Sequence, residues 1–190
     1  MDKFVFPDYD PEAQLVAISE VIRSLDKVLE TKERTFNETN YSNLNPDYAG
    51  DMYAGDLHEL GFIETAVSHS AIAVIAPFLE GLFRHEIAAL YDNGYKSKPE
   101  HPRANQKKFW KIECAFDTDG KMVKNIARGI YQVLEALNLL SFFPSNAKEM
   151  LGIIFLYRNY TLHNGFEATI EQRDKFKQKI EEIKGGRGIS

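Results

Sequence analysis

Apolar residues recur at helical spacing near the start of the chain. They follow one another at alternating steps of three and four residues, which predicts an amphipathic helix from just after Pro11 to about residue 36. A helix of this kind forms a seam in a bundle or a dimer, and packing within the chain is the use we expect. The positions are Leu15, Ile18, Ile22, Leu25 and Leu29.

A second long helix is predicted from Leu57 to about Tyr91, where apolar residues are dense. Pro77 should bend this helix near Ala73, because a proline removes one backbone hydrogen bond and crowds the carbonyl four residues before it. The continuous apolar run from Ala71 to Leu79 is too short to span a membrane. We therefore expect a core helix and no membrane association.

Between these helices, the segment Asn37–Asp56 is rich in Asn, Asp, Gly and Tyr, and its apolar residues do not recur at a regular spacing. It is therefore predicted to form a loop. Long loops are often functional. Tyr41, Tyr48 and Tyr53 could stack on nucleic-acid bases. The alternative, which we favour, is that the three tyrosines hold the loop against the helices.

The second half of the chain also favours helices. We expect them over Lys121–Leu140, from Ser145 to Asn164 with Ser145 as N-cap, and over Thr169–Ile183. Asp117–Gly120 predicts a turn. Residues 1–11 read as an extended start and 185–190 as a frayed tail. The fold class is therefore all-α, a single helical-bundle domain over 1–190 with two long N-terminal helices.

Composition is that of an ordinary globular protein, with 190 residues, 44% hydrophobic residues and a formal net charge of −5. One cysteine, Cys114, cannot form an intramolecular disulfide, and the N-terminal residues lack the plan of a signal peptide. A cytoplasmic location follows as an expectation. His58, His69 and His85 are not spaced as metal ligands, so neither a metal nor another cofactor is predicted.

Charge is unevenly distributed. Residues 1–95 carry 6 basic and 17 acidic side chains, whereas 96–128 carry 9 basic and 4 acidic ones. The basic segment includes aromatic residues, which suits RNA, because cations neutralise phosphates and rings stack on bases. Alternatively Phe109, Trp110 and Ile112 reach the core while the lysines are solvated. The candidate RNA-binding residues are Arg103, Lys107, Lys108, Trp110 and Lys111.

The predicted helix near the C-terminus ends in polar and titratable residues. Arg158, Asn159 and His163 close an apolar stretch just before the helix stop Asn164-Gly165. Asn159 and His163 are four residues apart and share a face, while Arg158 is rotated by about 140° from His163. The helix dipole favours a protonated histidine and a nearby guanidinium opposes it, so we expect a His163 pKa near neutrality.

Arg158-x4-His163 resembles the R-x4-6-H motif of the HEPN superfamily, and Asn159 matches the polar residue that often follows the arginine there. The resemblance implies a HEPN-like helical bundle that dimerises, so that two motifs face one cleft holding RNA. It also implies an acidic residue on the second helix that supports the motif. Glu80 is the candidate, with Glu64 behind it. Glu80 and Arg84 are also spaced as a helical ion pair.

The function this resemblance implies is metal-independent endoribonuclease activity, as in a toxin or defence effector with a cognate inhibitor protein. His163 would transfer the proton of the 2′-hydroxyl or of the leaving oxygen, Arg158 would bind the phosphate, and Asn159 would orient either. The product would be a 2′,3′-cyclic phosphate. The alternatives are a non-catalytic HEPN-like module that binds a nucleotide, RNA or a protein partner, and a purely structural dimer.

Overall fold

The computed structural model describes residues 10–97, 101–164 and 169–184, without the side chains at 47, 97, 163, 164 and 184. The chain is mostly helical, as predicted. The predicted stop at Gly165, the tail 185–190 and nearly all of the extended start lie outside the described residues. The helices are α1 (Pro11–Glu38), α2 (Pro46–Asp92), α3 (Ile126–Ala136), α4 (Ala147–Asn164) and α5 (Ile170–Lys184). Two strands are present in the described ranges, β1 (Cys114–Phe116) and β2 (Met122–Lys124).

Contacts within the chain form two compact units, Met1–Val74 and Ile75–Ser190, where the sequence predicts a single domain. The first unit contains α1 and the first part of α2. The second contains the end of α2 and all later elements. The helix continues through Pro77, so the proline does not end it.

Helix α1 of the first unit begins where the sequence predicts. The Asp10 carboxylate accepts hydrogen bonds at 3.0 Å from the backbone N–H groups of Glu12 and Ala13, which caps α1. At the other end of α1, Phe36 and two tyrosines form an aromatic cluster. The Tyr41 hydroxyl also donates to the Asp56 carboxylate at 2.7 Å. Tyr41 and Tyr53 therefore contact other residues of the same unit, as the favoured alternative requires, although Tyr53 is still 46% exposed and Tyr48 is 67% exposed.

The predicted loop over Asn37–Asp56 is wrong for most of its length, because α2 already begins at Pro46. Proline is well suited to the first turn of a helix, where its missing N–H would have no intrahelical acceptor. What remains of the loop is a short connection that includes a 3₁₀ turn at Tyr41–Asn43. Helix α2 is consequently longer than expected at its N-terminal end.

Apolar surface is extensive in the first unit. No side chain of α1 is buried, and Val67 is the one buried apolar residue among the described positions 10–74. Over Tyr48–Asp92, α2 is long and apolar enough to cross a membrane by length and composition, with a mean hydropathy of 1.5 in its most apolar window. The expectation that the apolar run Ala71–Leu79 is too short to span a membrane considered too short a part of the helix. Core helices of soluble proteins meet the same criterion of length and composition.

The second unit contains most of the buried apolar residues. Its core is formed by side chains from α2, α3, α4, β1 and the segment before β1. Helix α3 lies so close to that segment that a Cβ added at Gly129 would be 1.9 Å from the Ile112 carbonyl oxygen. Glycine is therefore required there. The largest fully buried side chains are Ile87, Phe109, Ile112, Ile130 and Val133.

Elements of the second unit differ in detail from the predictions. The turn at Asp117–Gly120 is confirmed, but it joins an antiparallel pair of three-residue strands in which Ala115 lies opposite Val123. Strand β2 of this hairpin occupies the beginning of the predicted helix 121–140, so α3 starts only at Ile126, and it ends at Ala136 rather than at Leu140. The Asn125 side chain caps it by accepting from the Arg128 N–H.

The last two helices lie where the sequence places them, with small shifts at their ends. Helix α4 begins at Ala147 rather than directly after Ser145. A reciprocal capping pair opens α5, in which the Thr169 hydroxyl accepts from Gln172 N–H and the Gln172 side chain accepts from Thr169 N–H. Phe176 of α5 packs against Tyr157 and Tyr160 of α4, with ring centroids at 5.4 and 4.5 Å.

Candidate functional site

Arg158 on α4 forms an ion pair with Glu80 on α2, and both residues belong to the second unit. Arg158 Nη2 lies 3.1 Å from Glu80 Oε2, and the two side chains are 27% and 20% exposed. The carboxylate predicted to support the motif arginine is therefore in contact with it. Glu64, the second candidate, lies in the first unit.

Glu80 is shared between two arginines. Its Oε1 accepts a hydrogen bond from Arg84 Nη2 at 2.8 Å, which confirms the predicted helical ion pair. Arg84 Nη1 in turn donates to Glu113 Oε2 at 3.2 Å. Four alternating charges thus run from Arg158 through Glu80 and Arg84 to Glu113. We call these four residues the charge chain.

One oxygen of Glu80 is buried, which makes its contact with Arg158 energetically important. Oε2 is buried and accepts no hydrogen bond from the described residues, so the nearby guanidinium is its compensating charge. A carboxylate oxygen removed from water without a counter-charge is costly. The arrangement therefore holds Arg158 near Glu80 while its remaining N–H groups can still donate to another anion.

Asn159 follows Arg158 but serves a different surface. Its exposed amide lines a cavity of about 520 Å³ bounded by α3, α4, α5 and the end of β2. Adjacent residues of a helix are rotated by about 100°, which is why Arg158 and Asn159 diverge. The role expected of Asn159, which is to orient His163 or the phosphate, stays a prediction. The two side chains lie on neighbouring faces of α4.

The backbone of His163 belongs to α4, one turn after Asn159, and its side chain lies outside the described residues. Helical periodicity places position 163 on the Asn159 face of α4. The helix ends one residue later at Asn164. The predicted roles and pKa of His163 therefore remain predictions.

The basic segment, residues 96–128, contains exposed lysines next to buried aromatic residues. Lys107, Lys108 and Lys111 are exposed and make no ion pair within the described part of the chain. Arg103 lies over the Phe116 ring, with its guanidinium carbon 4.9 Å from the ring centroid. Burial and then the Arg103 charge lower the pKa of His101, whose Nδ1 accepts from the Arg103 N–H.

Trp110 does not belong to the exposed patch. It is 5% exposed, and its indole N–H donates to the Ala104 carbonyl at 2.8 Å. Phe109 is fully buried beside it. The expectation that Trp110 stacks on a base is therefore corrected, because too little of the residue is exposed for a base to stack on it. Burial of Phe109, Trp110 and Ile112 beneath solvated lysines is the alternative that the sequence left open.

Two parts of this region were not predicted from the sequence. Glu113 joins the charge chain from the segment before β1, and Lys124 and Lys179 line the cavity beside Asn159. No local spacing connects these positions, since they come from three separate elements. Among the described residues, no group of three His, Cys, Asp or Glu side chains is placed to hold a metal ion.

Comparison with known proteins gives no relative for this chain. No protein-family model matches it, and neither a curated protein nor a solved structure does so.

Proposed function

We propose that this chain is a metal-independent endoribonuclease of HEPN type. The observation that carries the proposal is the contact between Glu80 and Arg158, which brings together a motif arginine and the acidic residue expected to support it. An arginine held by a carboxylate on one side presents a planar set of donors on the other, and this geometry suits a phosphate. Its partial exposure leaves the guanidinium accessible to RNA.

RNA carries its own nucleophile, so the protein has to move protons and stabilise charge. His163 removes the proton of the 2′-hydroxyl, the 2′-oxygen attacks phosphorus, and the bond to the 5′-oxygen breaks. The leaving oxygen takes up a proton from a second histidine. Arg158 stabilises the charge that develops on the phosphate oxygens. The products are a 2′,3′-cyclic phosphate and a 5′-hydroxyl.

This chemistry works best in a homodimer, because one histidine per chain does not easily serve as acid and base together. Two copies would contribute one His163 each to a shared cleft. Three exposed lysines at positions 107, 108 and 111 would bind the RNA backbone away from the scissile phosphate. A cytoplasmic toxin or defence effector controlled by an inhibitor protein is the setting we propose for such an enzyme.

Product analysis tests the proposal. Purified protein is incubated with a labelled RNA in the presence of a chelator, and the new 3′ ends are examined for a 2′,3′-cyclic phosphate. We expect such ends with the wild-type protein and none with His163→Ala. RNA binding without cleavage would favour the non-catalytic module, and cleavage that needs added divalent metal would contradict the proposed mechanism.

A further inference from the structure

The cavity beside Asn159 has the size and lining of a ligand site. Its volume of about 520 Å³ lies in the range of small-molecule pockets. Its apolar wall is built by Ile126 of α3, Leu156 of α4 and Ile183 of α5. A flat apolar group of a ligand can be buried against this wall. All of the lining residues belong to the second unit.

Polar groups with unused hydrogen-bonding capacity surround that wall. Lys124, Asn159, Lys179 and Glu182 line the cavity, and none of them makes a side-chain hydrogen bond or ion pair within the described residues. They offer two cations, one amide and one carboxylate. The remaining charged lining residue, Glu113, is already paired with Arg84.

The N-terminus of α3 contributes to the same cavity. Ile126 and Ala127 are its first two residues and both line the cavity. Backbone N–H groups in the first turn of a helix have no intrahelical acceptor, and the helix dipole is positive there. The Asn125 side chain already accepts from the Arg128 N–H, so the groups considered for a ligand are those of Ile126 and Ala127. Together with Lys124 and Lys179, this end of α3 favours an anionic group such as a phosphate.

We propose that the cavity binds one ribonucleotide of the RNA substrate, an inference that rests on the proposed ribonuclease function. Lys124, Lys179 and the N-terminus of α3 contact a phosphate. Glu182 accepts a hydrogen bond from a ribose hydroxyl or a base amine, Asn159 pairs with the edge of the base, and the apolar wall contacts its face. A ligand with an anion, hydrogen-bond donors and a flat ring satisfies all of these groups at once.

Proximity to Arg158 gives the cavity a role in specificity. Asn159 is the next residue along α4, and the cavity also includes Glu113 at the end of the charge chain. A nucleotide seated in the cavity would therefore lie against the face of α4 that adjoins the one carrying Arg158. The base at this position would be selected by the hydrogen bonds of Asn159 and Glu182.

Calorimetric titration with the four ribonucleoside 5′-monophosphates tests the assignment, with the nucleosides and inorganic phosphate as separate arms. We expect at least one nucleotide to bind about tenfold more tightly than its nucleoside or phosphate alone. Lys124→Ala and Lys179→Ala should each weaken that binding by about tenfold without changing the melting temperature. Lys177→Ala is the matched control, because Lys177 lies on the same helix outside the cavity.

The outcomes separate this inference from the proposed function. Absence of nucleotide binding, equal binding of inorganic phosphate, or an equal loss in the Lys177 variant would overturn the cavity assignment. If the protein nevertheless cleaves RNA with chelator present, the ribonuclease proposal stands without this subsite. If nucleotides bind as expected and RNA is not cleaved, the cavity assignment stands and the ribonuclease proposal fails.

Discussion

Glu80 and Arg158 lie on different helices, and their side chains meet at 3.1 Å between a buried carboxylate oxygen and a guanidinium nitrogen. Glu80 binds Arg84 through its other oxygen, so it fixes two cations at once. The position of Arg158 thus depends on a residue that need not touch the substrate. This dependence makes Glu80 a positioning residue in the proposed mechanism.

Glu80→Gln is expected to lower the rate of RNA cleavage while leaving the protein folded. Glutamine keeps the shape and one hydrogen-bond acceptor but loses the charge that holds Arg158. A small misplacement of a phosphate-binding group can cost on the order of 10²-fold in rate. Single-turnover cleavage assays measure this loss. Glu86→Gln, at an exposed position of α2 outside the charge chain and the cavity, should retain most of the activity, and an equal loss in both variants would argue against a specific role for Glu80.

Gly129→Ala should destabilise the second unit because the new methyl group would collide with the Ile112 carbonyl oxygen. Overpacking of this kind costs about 1–3 kcal/mol of unfolding free energy. Urea unfolding followed by circular dichroism provides the measurement. Gly81→Ala is the control within the same unit, since nothing lies within 4 Å of its added Cβ. That helical substitution should stabilise by about 0.5–1 kcal/mol. A neutral effect of Gly129→Ala would show that α3 can move away from the Ile112 backbone.

The basic segment should respond differently to changes in its lysines and in its tryptophan. Replacing Lys107, Lys108 and Lys111 by alanine should weaken RNA binding and reduce the slope of log affinity against log salt by about 0.7 per lysine. Stability should not change, because these side chains are exposed. Trp110→Phe should instead lower the unfolding free energy by about 1–3 kcal/mol through the lost hydrogen bond and packing, with RNA affinity unchanged. Unchanged stability together with weaker RNA binding of the Trp110→Phe variant would instead indicate that Trp110 contacts RNA directly.

Much of the helical framework could be predicted because its causes are local. Pro11 and the apolar spacing after it locate α1, and Thr169 locates the start of α5. The early start of α2 was missed because the segment from Pro46 is rich in residues with weak helix preference, which tertiary context overrides. The strands β1 and β2 have three residues each, too few for an alternating pattern to be recognised.

The candidate site was predictable only in part. Arg158 and Glu80 could be named through a family resemblance that specifies their roles. Glu113, Lys124 and Lys179 carry no such signal, because their contribution depends on how distant elements pack. The burial of Trp110 likewise follows from the Ala104 carbonyl that accepts its N–H and from the ring of Tyr91 on α2 that packs against it. The local sequence is compatible with both alternatives and favours burial in the core only slightly.

Assembly is expected to be dimeric. Light scattering of the purified protein should give twice the mass of the 21.7 kDa chain. The proposed chemistry needs two copies of His163, so mixing inactive His163→Ala with wild-type chains should lower activity more than dilution alone. A protein that remains monomeric at assay concentration and still cleaves RNA would contradict the two-histidine mechanism.

The central claim is that Arg158 and His163 cleave RNA without a metal, and the single-turnover cleavage rate in chelator measures it most directly. His163→Ala should lose on the order of 10²–10⁴-fold, because general acid–base transfer is removed. Arg158→Lys should lose on the order of 10²-fold despite keeping its charge, because the planar pair of donors is gone. RNA affinity, measured in parallel, should change little with His163→Ala. Cleavage at the wild-type rate in either variant, or a wild-type rate that vanishes in chelator, would contradict the claim.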